Sequence, residues 1–503
     1  MQFTRDFGRT VLSASLRSRR LPLLLLAAVF MFEFTRRFHE PWRDEAETVL
    51  VGRASFSDIL YMSRLAGIPP GIFLLMKSLD SVLGTWSLPA LAALGYVVLL
   101  RGVHEFMSTV AGRTEATLGT AILALTYPCV FEGGVIARQY ALSLGIAFHA
   151  IAAAIIYAEA PNSRPTRLAI HSALTSVFGL HGACIAASSA LVACLWRMLK
   201  FSTPRPLLHG LACAPGPILA LAYALPYEQR WVQMNATTAI TWSDLPEAVT
   251  AVLGRAFFQK DGTWLRADLP APRVVELVSA LALPGMVLIV LFSFWDATQR
   301  RRGTIFALGW LISSGLLLYT FVAKAGATYR HFTFVALPAL AYLTVFALAA
   351  ARRAPWFGAV VLGLFAPTLA LLNLLGLANL AADVADVFSD TRLHASEFEP
   401  HARLVTADAR PVALLYYRPD LTLRTAANRG SHVRYIRPDK DFEVTVPVAG
   451  LIREECRASA SGGVWASDPG GFPDCQKRHL QAKGRVEGFS WTELDCGCVA
   501  KTH

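Results

Sequence analysis

Charge is scarce in this chain. Only 17% of its 503 residues are Asp, Glu, Lys or Arg, where soluble domains carry about 25%. That excludes an ordinary soluble protein. A concentrated basic face is also missing. The 47 Lys and Arg residues give a net charge of +11, but they are scattered over many short loops, which excludes nucleic acid as a partner. No internal repeat is visible, and transporters often carry one. No cleavable leader is obvious either. Arg5, Arg9, Arg17, Arg19 and Arg20 run into an apolar stretch, which reads as an uncleaved first span.

Hydrophobic residues fill the gap, at 54% of the chain with a mean hydropathy of +0.43. They come in runs such as Leu21–Phe34, Leu88–Leu100, Val274–Trp295, Ile305–Ala323 and Ala354–Ala382. Runs near 20 residues can cross a bilayer as helices. The expected fold is an all-α polytopic membrane domain over 1–382 and a small extracytoplasmic α/β domain over 383–503. About eleven spans fit, near 16–34, 87–103, 116–133, 139–158, 168–180, 183–197, 207–225, 274–295, 304–323, 331–350 and 356–382.

With the N-terminus inside, the inner segments 1–20, 101–113, 159–167, 197–206, 296–303 and 351–355 hold 17 Lys and Arg in 65 residues. The outer segments 35–86, 131–138, 180–182, 226–273 and 324–330 hold 14 in 118. This bias has the sign of the positive-inside rule and places the C-terminus outside. Segment 35–86 is long and polar. Its apolar half, Gly67–Leu83, holds Pro69, Pro70, Lys77 and Asp80, and reads as helices at the outer interface. His104 and Glu105 fall on the inner side and read as solvated.

Beyond residue 383 the composition turns polar. Short β-like runs at Arg403–Ala407, Val412–Tyr417 and Phe442–Val448 lie between turn residues. Cys456, Cys475, Cys496 and Cys498 belong to this part. Four cysteines in an outer domain fit disulfides, with three pairings open. A Cys-x-Cys zinc site is the rival, but no suitably spaced His pair accompanies it.

The most informative stretch is Arg43-Asp44-Glu45-Ala46-Glu47. Carboxylates at a membrane face are functional-site candidates by default. The same outer face receives Glu132, Arg138 and Tyr140 from the turn after the third span, and His181 from the turn after the fifth. Lys324, Tyr329, Arg330 and His331 arrive before the tenth. Acids from one loop face cations from two others, which suits an anionic headgroup and a hydroxyl or amine to be deprotonated. Plainer roles stand beside these. Asp44 would serve as a helix N-cap. Arg138 and Arg330 would snorkel to lipid headgroups, and Lys324 would anchor at the interface. Glu132 would pair with Arg138, and His181 would be a satisfied turn residue. Trp231, Trp242 and Trp264 would form an interface belt.

Several motifs resemble a known family. Asp44-Glu45-Ala46 opens the first outer loop. Gly67-Ile-Pro-Pro-Gly-Ile-Phe-Leu-Leu-Met-Lys follows as a Pro-Pro apolar helix. Ala137-Arg138-Gln139-Tyr140, His181 and Tyr329-Arg330-His331 with Pro338 come in order. Over roughly residues 15–350 the chain resembles the GT-C glycosyltransferases of the protein O-mannosyltransferase and lipid A aminoarabinose transferase type. It departs from them at Ile68, where many relatives carry a His.

The resemblance implies sugar transfer from a polyprenyl-phosphate donor at the outer face of a bacterial inner membrane. Asp44 would be the general base, and Glu45 would orient it or bind acceptor or metal. Arg43, Glu47, Glu132, Arg138, Tyr140, His181, Lys324, Tyr329 and Arg330 would bind substrate. Some relatives use a divalent cation, and this stays open, as do the sugar and the acceptor. The alternatives are a transporter or flippase for a lipid-linked or anionic substrate, and a non-catalytic assembly scaffold.

Overall fold

A computed structural model describes residues 21–38, 43–126, 137–234, 297–321, 329–353, 356, 395–406, 413–425, 448–459, 463–467, 471–482 and 489–502. The N-terminal part is helical. Helix α1 is Leu21–Phe38, and the polar loop after it holds α2 (Arg43–Arg53), α3 (Phe56–Ala66) and α4 (Gly71–Leu83). A single 3₁₀ turn leads into α5 (Ser87–Val110). Then come α6 (Arg113–Thr126), α7 (Gln139–Glu159), α8 (Thr166–Phe178), α9 (Leu180–Phe201), α10 (Arg205–Cys213), α11 (Pro215–Met234), α12 (Ala297–Phe321) and α13 (Tyr329–Arg353).

Among the described residues three helical stretches are long and apolar enough to cross a membrane: Gly71–Val110, Gln139–Glu159 and Leu180–Phe201. The stretch expected at 207–225 is a broken pair, bent by 41° between Arg205–Cys213 and Pro215–Leu225. Helices also form where spans were expected at 16–34, 116–133, 304–323 and 331–350. The expected spans 274–295 and 356–382 lie outside the described residues. The fifth expected span is α8, only 13 residues long, about 20 Å at 1.5 Å per residue. Gly179 breaks it from α9 in extended backbone. The reading of Gly67–Leu83 as interfacial alone misses a continuity, since helix α4 runs on through residues 84–86 into α5. Gly84, at φ +54°, marks the junction in a conformation that favours glycine.

Helix α7 is the hub, because it is apolar all round and therefore buried all round. It packs against α5, α8 and α9. Glycines bring the α5 and α7 backbones together. A Cβ on Gly102 would lie 2.1 Å from the Gly145 carbonyl oxygen, and one on Gly145 would lie 2.6 Å from the Leu99 nitrogen. Close approach over small residues is how helices associate without a hydrophobic driving force.

The described residues of the segments expected on the inner side, from 101–113 onward, meet at one end of this bundle. Arg302 donates to the Thr109 carbonyl at 2.6 Å. Glu115 pairs with Arg352, and Lys200 with Glu159. Arg197 donates to the Tyr157 carbonyl at 2.6 Å. The solvated reading of Glu105 is corrected here. Its carboxylate bonds His149 Nδ1 at 2.6 Å and pairs with Arg167, joining α5, α7 and α8. His104 lies 3.3 Å from the Thr117 hydroxyl.

The C-terminal part holds a five-stranded mixed sheet. Its strands are β1 (Arg403–Thr406), β2 (Thr422–Thr425), β3 (Gly463–Ala466), β4 (Gln476–Ala482) and β5 (Phe489–Asp495), in the order β2-β1-β3-β5-β4. The β1 pairings are parallel, and those of β5 are antiparallel. Helix α15 (Val448–Ala458) packs on β1 and β3, and α16 (Cys496–Val499) follows β5. Two disulfides close this region, Cys456–Cys496 and Cys475–Cys498. Residues two apart on a helix face different ways, so Cys496 and Cys498 take different partners. With all four cysteines oxidised, none is left as a zinc ligand.

The β-like run at Val412–Tyr417 is instead a short helix, α14 (Ala413–Tyr417). Leu414, Leu415 and Tyr416 are buried in one core with Ala46 and Val49 of α2, and that packing overrides local β propensity. The run at Phe442–Val448 lies outside the described residues except for Val448, the first residue of α15.

Candidate active site

Helix α2 carries the acidic cluster in its first two turns. Arg43 and Asp44 open it, and Glu45, Glu47 and Thr48 are buried. Glu45 is wholly buried, and its Oε1 accepts the backbone N–H of Ala137 at 2.7 Å. Ala137 stands just ahead of α7. The residue after it, Arg138, is the N-cap of α7 and is itself buried.

The other end of α2 is fixed to α4. Arg53 makes a fork to Asp80, Nε to Oδ2 at 2.8 Å and Nη2 to Oδ1 at 3.0 Å. Ser87 donates to the same carboxylate at 3.3 Å. Lys77 donates to the Ala54 carbonyl at 2.8 Å, covering the last turn of α2. Gly52 lets the two helix backbones approach, since a Cβ there would sit 3.1 Å from the Lys77 backbone nitrogen and 3.2 Å from the Phe73 carbonyl oxygen. Helix α3 has its own cap, with Asp58 N–H donating to Ser55 Oγ at 3.2 Å, and ends at Gly67 in left-handed backbone.

A chain of rings continues from Arg138. Its guanidinium lies 5.8 Å from the Tyr140 ring centroid, within cation–π range. Tyr140 meets Phe334 edge-on at 6.4 Å, and Phe334 stacks on His181 at 4.8 Å. Phe334 belongs to α13, four residues and about one turn past Arg330. So the N-terminal ends of α2, α7, α9 and α13 converge, opposite the end where the Arg-rich segments gather.

Of the expected site residues, Glu45, Arg138, Tyr140 and His181 are brought together through these contacts, with Glu47 on the same helix turn as Glu45. Arg43 and Asp44 sit at the start of α2, and Tyr329 and Arg330 at the start of α13. Glu132 and Lys324 lie outside the described residues, as do Trp242 and Trp264. Phe334 and the Arg53–Asp80 fork were not foreseen. Phe334 gives no signal in an apolar run. Asp80 and Lys77 did stand out as charges in an apolar helix, but nothing local names their partners. Among the described residues, no three His, Cys, Asp or Glu side chains are grouped to hold a metal ion.

No protein-family model matches the chain, and no curated protein matches it in sequence. Solved structures do. The chain is similar to ArnT from Cupriavidus metallidurans in the apo state, at 12% identity and a TM-score of 0.54. The likeness covers 95% of this chain and 98% of that one. ArnT from the same organism bound to undecaprenyl phosphate matches at 11% identity and a TM-score of 0.51, with the same coverage. This likeness establishes the fold: over nearly its whole length the chain folds as ArnT does.

Proposed function

We propose that the chain is an integral-membrane glycosyltransferase that takes a sugar from a polyprenyl-phosphate donor and passes it to an extracytoplasmic acceptor. The observation that carries this is the bond between Glu45 and Ala137, which joins the acidic turn of α2 to the Arg138–Tyr140 turn of α7. The shared fold supports it, together with the undecaprenyl phosphate held by the ArnT it resembles.

Asp44 acts as the general base. The acceptor hydroxyl gives its proton to the Asp44 carboxylate as its oxygen attacks the anomeric carbon. The bond from that carbon to the phosphate oxygen breaks, and the lipid phosphate departs. One displacement inverts the anomeric centre, so one base suffices. Arg138 and Arg330 hold the leaving phosphate, for which guanidinium offers a bidentate fork. Tyr140, His181 and Tyr329 line the donor side, and Arg43 and Glu47 the acceptor side.

The membrane part spans 1–382 and the extracytoplasmic sheet region 383–503. The N-terminus is cytoplasmic and the sheet lies outside a bacterial inner membrane, in keeping with the basic residues crowding the opposite end. The test is headgroup analysis of polyprenyl phosphates in cells lacking the protein. A glycosylated polyprenyl phosphate should accumulate, and an unchanged pool would contradict the reading.

A further inference from the structure

We infer that Glu45 is a positioning residue. Its carboxylate sets the spacing between the acidic turn of α2 and the cationic turn of α7, and it does not act as a second acid–base group. The inference rests on the lipid-phosphate reading above.

Glu45 is wholly buried, and the bond from Ala137 N–H to its Oε1 is 2.7 Å long across 92 positions of sequence. A backbone N–H has a fixed direction, so this bond fixes where the carboxylate points. Asp44 precedes Glu45 on one chain segment, and Arg138 follows Ala137 on the other. The proposed base and a proposed phosphate donor are thus each one peptide unit from the two ends of a single hydrogen bond.

The electrostatics agree. Ala137 stands just ahead of the first turn of α7, where the helix presents its partial positive charge. Acid–base work would need an oxygen that reaches substrate, whereas Glu45 is wholly buried and one of its two oxygens is engaged by the main chain.

The far end of α2 is held independently by the Arg53–Asp80 fork and by Lys77. Helix α2 is therefore a strut between α4 and α7, with Glu45 as its fastening to α7. Helix α2 also packs on α4 and α14, so loss of that fastening loosens the acidic turn and the 137–140 turn while the fold persists.

Two conservative substitutions separate the roles. Glu45→Gln keeps the reach and an accepting oxygen but loses the charge. Glu45→Asp keeps the charge but is one methylene too short. A positioning role predicts that Gln substitutes well and Asp poorly, and a role through charge predicts the reverse order.

The experiment uses the purified full chain in nanodiscs with undecaprenyl phosphate as the probe. Its Kd should change by less than about threefold in Glu45→Gln, and should weaken about tenfold or more in Glu45→Asp and Glu45→Ala, the range a lost charge-assisted hydrogen bond spans. Hydrogen exchange at 137–140 should quicken in the Asp and Ala variants and stay slow in Gln. Melting temperatures taken in parallel identify a variant that merely unfolds, and the Gln-versus-Asp order then decides alone. Asp matching wild type while Gln loses binding overturns the positioning role, and so does slow exchange in all variants. Wild-type chain that does not bind undecaprenyl phosphate removes the lipid-phosphate reading itself, and the role with it.

Discussion

Tyr416 donates its hydroxyl to the backbone carbonyl of Thr85 at 2.6 Å, across 331 positions of sequence. The donor sits on α14, beside the sheet, and the acceptor lies in the turn joining α4 to α5. The same short helix packs on α2. The C-terminal part thus seats directly on the acidic helix.

This contact makes a prediction. Tyr416→Phe keeps the buried ring and deletes one hydrogen bond, so it should cost about 1 kcal/mol of stability. The loss should be local, seen as faster hydrogen exchange in α2 and around Thr85 and not in β3 to β5. Faster exchange spread evenly over the sheet would show that Tyr416 supports the sheet and not the docking.

The disulfides make a second. Peptide mapping without reductant should find Cys456 linked to Cys496 and Cys475 linked to Cys498. Replacing either pair by Ser should cost about 2–5 kcal/mol in the sheet region, read from its unfolding transition. Four free thiols in protein taken from the membrane would contradict this, and would also count against an oxidising outer compartment.

A third concerns acid. The Arg418 guanidinium holds the Asp420 carboxyl well below the usual carboxylate range, against the opposing effect of burial, and the His401 N–H assists. The carboxyl is depressed in the fold, so its stabilisation is fully present above the unfolded value near 3.8. It is lost as pH falls from there towards the folded value. Wild-type sheet should therefore weaken below about pH 4, while Asp420→Asn should start weaker and show a flatter acid limb. Parallel acid limbs for the two proteins would show that this pair does not couple to folding. The effect is modest, because both side chains are partly solvated.

Much of the site was legible in the sequence because charge is conspicuous in an apolar chain. Asp44-Glu45, Arg138 and His181 stand out against their neighbours, and the Arg bias of the loops separates the two ends of the bundle. Partnership was not legible. Glu45 meets Ala137 through a backbone N–H that any residue would supply, so no side-chain pattern records it. Phe334 bridges Tyr140 and His181 but is one phenylalanine among many. The run at 412–417 has β-like composition, and only its burial against α2 makes it a helix. The two parallel pairings of β1 join segments far apart in sequence, which local periodicity does not encode. The resemblance left Glu45 to orient the base or to bind acceptor or metal, and its bond to the Ala137 N–H supports the first of these.

The most direct test of the whole account is transfer by Asp44→Asn. The substitution keeps the size of the side chain and removes its basicity. General-base contributions run about 100- to 10,000-fold. The measurement is transfer of labelled sugar by the purified full chain from the glycosylated polyprenyl phosphate that accumulates in cells lacking the protein. The account predicts a protein that melts as wild type does, binds undecaprenyl phosphate with unchanged Kd, and transfers at least about 100-fold more slowly. Near wild-type turnover by Asp44→Asn would contradict it.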